Sequence, residues 1–151
     1  MSFQTQAISH ETLTGVRTSG RDVSGHPVER VVATGGEPLR CCLRDARPDE
    51  DLILFGYAPA LPASPYREIG PVFAHAQACP APPADGYPAE WRGRRQVLRA
   101  YDKRGWIHPA TRVHDGTDPE AEIAAILADP EVDRIHSRNV AYGCYMFAIT
   151  R

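Results

Sequence analysis

No stretch of the chain approaches the roughly 20 consecutive apolar residues that a membrane-crossing helix needs, so a membrane partner is not expected. Charge of one sign is not in surplus either: 17 Lys and Arg stand against 19 Asp and Glu, a net charge of −2. Such a balance supplies no general field for nucleic acid or an anionic surface, and the short basic run WRGRRQ reads as a solvated face. The opening MSFQTQAISHETLTG has neither a basic start nor an apolar run, so no secretory signal is expected and a cytoplasmic location is. The loops GxGxxG and GxxxxGK[ST], the GxSxG nucleophile turn, CxxC and HExxH do not occur. Their absence leaves nucleotide-phosphate binding, serine hydrolysis and the common zinc motifs without support. Internal repeats and heptads are also missing.

What is present fits one globular domain over residues 1–151, since 42% of the residues are apolar and 24% charged, and a chain of this length can bury a continuous core. Fourteen prolines and twelve glycines divide it into short pieces, which favours strands. ERVVAT, PLRCCLRDA and DLILFGYAP read as three strands, with ARPDED as a polar turn. A further strand is expected around Val72 to Ala76. CPAPPADGYP, from Cys79 to Pro88, reads as a surface excursion that cannot hold a ladder, ended by one helical turn at PAEWRG. QVLRAYD and GWIHPATRV read as a hairpin turned by KRG, and VDRIHS and GCYMFAITR as the last two strands.

One helix is expected, over TDPEAEIAAILADP. Thr117 or Asp118 caps it, Pro119 suits its first turn, and Pro130 stops it. Ile123, Ile126 and Leu127 share one face. The fold class is therefore α+β, a mostly antiparallel sheet with one packed α-helix near the C-terminus.

In a regular PLRCCLRDA strand the pleat sets Leu39, Cys41 and Leu43 against Arg40, Cys42 and Arg44. Buried arginine needs a partner, so Arg40 or Arg44 must reach an edge, a carboxylate or a bound anion. Arg99 repeats the pattern of a charge among apolar neighbours. Near the tail, His136, Asn139 and Cys144 lie where a central strand meets a loop, a common place for a site. His75 and Cys79 are four residues apart, but Cys41 and Cys42 point to opposite faces of a regular strand, so no metal and no other cofactor is expected.

PLRCCLRDARPDEDLILFGYAP, SPYREIGPVFAHA, VLRAYDKRGWI and IHSRNVAYGCYMFAITR, in that order, resemble the bacterial family known as domain of unknown function 1203. The resemblance runs from about Arg30 to Arg151, and its tail of His, Asn, Gly-Cys-Tyr and terminal Arg is the most specific part. It implies a stand-alone single-domain protein of bacteria and brings no activity, catalytic residue or cofactor with it.

Three readings follow. The first is a site for a small anionic molecule, with Arg44 and Arg99 supplying charge, Tyr66 and Arg67 closing the loop side and Asn139 orienting the ligand. In it His136 is the candidate general acid or base and Cys144 the candidate nucleophile. The second is a non-enzymatic homodimer that covers exposed sheet edges. The third is a thiol redox or metal-handling protein using Cys41, Cys42 and Cys79.

Overall fold

The computed structural model describes residues 2–151. In chain order its elements are β1 (Gln4–Gln6), α1 (His10–Ser19), β2 (Glu29–Val32), β3 (Pro38–Leu39), β4 (Arg44–Asp45), β5 (Asp51–Tyr57) and β6 (Gly70–His75). A 3₁₀ turn at Ala89–Trp91 follows, then β7 (Gln96–Tyr101), β8 (Arg112–His114), α2 (Pro119–Leu127), β9 (Arg134–Asn139) and β10 (Tyr145–Thr150).

The α+β class holds, but the strands form two five-stranded sheets rather than one. The first runs β1-β10-β9-β7-β8 and is antiparallel throughout. The second runs β2-β5-β6-β3-β4 and is mixed, because β3 pairs in parallel with β6 through Leu39 and Phe73.

Among the described residues there are two helices, not one. The second, α2, has the expected start: the Asp118 side chain accepts from the Ala121 N–H and Pro119 opens the helix. Its Ile123, Ile126 and Leu127 bury against Leu98, Ile135 and Phe147 in one core. Full burial of each such side chain contributes about 1.5–3 kcal/mol. The first helix, α1, was not expected. Ser9 accepts from the Thr12 N–H at its start, and Gly20 closes it in the left-handed region at φ 67°, a conformation that glycine adopts without strain. Leu13 of α1 packs in a second core with Leu39, Leu52, Phe55 and Val72.

Strand β10 serves both cores. A bulge between Tyr145 and Phe147 shifts its register against β9. Met146, Phe147 and Ile149 therefore enter the first core, while Tyr145 and Ala148 face the second. The strict alternation expected for this strand fails there because a bulge adds one residue to one strand and reverses the pleat beyond it.

PLRCCLRDA is not a strand. Leu43 N–H closes on Leu39 O at 3.0 Å, and Leu43 takes φ 55°. The chain thus reverses over residues 40–43 between β3 and β4, and the two cysteines fall in a tight turn instead of on opposite faces of a ribbon.

Candidate metal centre

The reversal at 40–43 brings the Cys41 and Cys42 sulfurs to 3.8 Å from each other. Strand β6 ends opposite them with His75, whose Nδ1 lies 3.6 Å from Cys41 Sγ and 3.8 Å from Cys42 Sγ. Past β6 the chain curls back and delivers Cys79, so that one donor atom from each of Cys41, Cys42, His75 and Cys79 lies within 4.8 Å of the others. Cys41 is buried and the other three are half-buried.

The surroundings hold these donors in place. Glu50 Oε2 sits 2.7 Å from His75 Nε2. An ionised carboxylate only accepts, so Nε2–H is the donor to Glu50, and Nδ1 is the ring nitrogen that faces the sulfurs. Glu50 is itself gripped by Arg44, whose Nη1 and Nη2 donate to Oε1 and Oε2 at 3.0 Å each, and by the Arg47 N–H. These donors, Arg44 foremost, hold the Glu50 carboxyl well below the usual carboxylate range. From α1, Arg17 donates through Nε and Nη2 to the carbonyl of His75.

The sulfurs compete for charge. The Cys42 thiol donates to Cys41, and this, more than the opposing effect of burial and with help from the His75 N–H, pulls Cys41 down to about 5. Cys42 is pushed up by donating to Cys41 and by its own burial. Burial and the Cys41 charge push Cys79 up to about 11. Without a cation only Cys41 is favoured as a thiolate, and ionising all three sulfurs so close together requires a cation among them.

A tetrahedral zinc ion has Zn–S near 2.3 Å and Zn–N near 2.0–2.1 Å, which makes the ligand-to-ligand edges about 3.8 Å for S–S and about 3.6 Å for S–N. The Cys41, Cys42 and His75 separations match those edges. The carboxylate on the far ring nitrogen is the partner that metal-bound histidines commonly have. Cys42 also lines a cavity of about 250 Å³ that Arg44, Pro82 and Pro83 border.

The residues singled out in the sequence fall in several places. Arg44 belongs to this cluster through Glu50. Arg99 lies in the other sheet and pairs with Glu68 at 3.5 Å, an acid it shares with buried Arg138. Arg44 and Arg99 thus pair with different acids, Glu50 and Glu68, and line no common cavity among the described residues. Tyr66 packs edge-on against Trp106 at 5.7 Å, and exposed Arg67 lines a separate cavity beside Tyr57.

His136 is buried with its ring 4.8 Å from Tyr101 and 5.2 Å from Tyr145. Burial, and then the charges of Arg138 and Arg134, pull it down to about 3. A ring so depressed is neutral at pH 7 and a poor proton donor there. Asn139 and Cys144 do meet: both line a cleft with Arg40, and the Asn139 N–H donates to Cys144 O. Gly143 takes φ 73° in the turn between them.

Sequence reasoning noticed the His75–Cys79 spacing but set it aside, and it missed Glu50 and Arg17 altogether. The doublet Cys41-Cys42 was the available signal, once a turn rather than a strand is allowed there.

Fold and cluster together define an α+β protein with a three-cysteine, one-histidine donor set. Residues 36–151 match the model of the family described as protein of unknown function (DUF1203), and the chain belongs to that family. The matched span contains all four donors and Glu50. No curated protein and no solved structure matches the chain. Among the described residues no helix is long and apolar enough to cross a membrane.

Proposed function

We propose that this chain is a metal-binding protein that holds one divalent ion of the zinc class through Cys41, Cys42, Cys79 and His75 Nδ1. Three thiolates and an imidazole are donors that suit zinc over magnesium or calcium. The observation that carries the reading is the agreement of the Cys41, Cys42 and His75 separations with the edges of a zinc tetrahedron. Three thiolates around a divalent ion leave one net negative charge, which Arg17 and Arg44 stand ready to offset.

Four protein donors complete a tetrahedron and leave no position for substrate, so the role is structural. The ion would join the β3–β4 turn, the end of β6 and the start of the proline-rich loop. That loop has few ladder bonds of its own, and a metal cross-link supplies folding free energy where the core cannot.

The test is elemental analysis of protein purified without added metal, followed by cobalt substitution. The expected result is one equivalent of zinc per chain and, with cobalt, the intense visible absorption of a tetrahedral thiolate complex. Metal-free protein with Cys41 and Cys42 recovered in a disulfide would instead establish the thiol redox reading, which the low titration of Cys41 favours.

A further inference from the structure

A second feature lies one residue before the cluster. Arg40 is among the largest fully enclosed side chains, 2% exposed. Its Nε donates to Tyr145 O at 2.7 Å and its Nη1 to Pro38 O. Among the described residues Nη2 has no acceptor and no carboxylate pairs with the group. Two carbonyl dipoles do not neutralise a guanidinium, and a buried cation without a counter-charge costs several kcal/mol.

This side chain lines a cleft of about 470 Å³ bordered by strands β5 and β6 and by the β9–β10 loop, a size that suits a small molecule. Leu54, Pro71 and Phe73 form its apolar wall, while Asn139 ends β9 and Tyr142 and Cys144 come from the β9–β10 loop. Glu37 also borders the cleft, but both its oxygens are engaged by the Thr34 and Gly35 N–H groups. Its charge works against multiply charged anions such as phosphate. A single carboxylate meets the geometry best, since its two oxygens match the planar fork of a guanidinium.

We infer that this cleft binds a small molecule carrying one carboxylate on an apolar body, with the carboxylate on Arg40, the body against Phe73 and Pro71, and Asn139 as a further polar contact. The site is separate from the metal donors. Cys144 lines it and reports on it directly.

The experiment follows alkylation of Cys144 by iodoacetamide, read by mass spectrometry of the Cys144 peptide alone, in wild-type protein and in Arg40→Met. Phenylacetate, its uncharged analogue phenylacetamide, and inorganic phosphate are the probes. Millimolar phenylacetate is expected to slow Cys144 alkylation several-fold in the wild type, with no effect from phenylacetamide or phosphate and none from phenylacetate in Arg40→Met. No protection by phenylacetate, equal protection by the amide or by phosphate, or full protection in a folded Arg40→Met variant each overturns the inference. If Arg40→Met does not fold, the comparison of the three probes on wild-type protein decides. Failure of the metal reading would show in the Cys41, Cys42 and Cys79 peptides and leaves this measurement intact.

Discussion

His75 and Glu50 form a directed pair: the carboxylate accepts a hydrogen bond from Nε2–H at 2.7 Å, which leaves Nδ1 as the ring nitrogen that faces the cysteine sulfurs. Removing that direction should loosen the donor set without emptying it. Glu50→Gln is expected to weaken zinc affinity by about 10–100-fold, the usual effect of losing such an outer partner. Competition against a chromophoric chelator measures it. An affinity equal to that of the wild type would mean that Glu50 only braces Arg44 and Arg47.

Chelation should cost stability and expose the proline-rich loop. A ligand present at about 1,000 times its dissociation constant contributes about 4 kcal/mol to the folded state. For a chain of this size each kcal/mol moves the melting temperature by roughly 2–4 °C. Calorimetry with and without chelator is expected to show a drop of that order, and limited proteolysis should then cut first within residues 79–88. Cys79→Ser should behave like chelated protein, and a variant that melts with the untreated wild type would detach Cys79 from the cluster.

The buried ring of His136 sets an acid limit. Its folded pKa of about 3 lies below its ordinary value near 6.5, so between those pH values the unfolded chain binds the extra proton. Stability contributed by the neutral ring is complete above about 6.5 and is lost as pH falls toward 3, at up to about 1.4 kcal/mol per pH unit. His136→Phe keeps an aromatic between Tyr101 and Tyr145 and removes the titration. Denaturant midpoints measured across this window should fall less steeply in the variant; parallel slopes would place the acid sensitivity elsewhere.

Arg151 ties the chain's last strand to its second helix. Nη2 donates to Leu127 O and Asp129 O, and Nη1 to Val132 O, so one guanidinium serves the Leu127 carbonyl at the end of α2 and two carbonyls of the turn beyond it. Arg151→Ala is expected to cost about 1–2 kcal/mol by urea denaturation, and Arg151→Lys should recover only part, because an ammonium lacks the fork that spans these acceptors. A loss below measurement error in Arg151→Ala would show that water replaces it at no cost.

Legibility in the sequence followed the strength of local pattern. Strand β5, strand β7 and helix α2 were readable because alternation, a capping Asp118 and the flanking prolines all agree on them. Helix α1 was not, since only Leu13 of its residues is buried and so it presents almost no apolar stripe; Ser9 and Gly20 were its remaining signals. The turn at 40–43 was misread for a different reason. An apolar run of leucine and cysteine suits a strand, and only tertiary packing forces Leu43 to φ 55°. That one error hid the cluster, because it placed Cys41 and Cys42 back to back. Glu50 was invisible for lack of any sequence relation to His75, which it meets only across the folded sheet.

The bulge in β10 makes the chain's length at Met146 more important than the side chain it carries. Deleting one residue there would restore simple alternation and turn Tyr145 and everything before it upside down. The Tyr145 carbonyl would leave Arg40, and the Cys144 thiol would leave the cleft. Substitutions at this position are therefore a matter of packing, whereas a single-residue gap is a change of architecture.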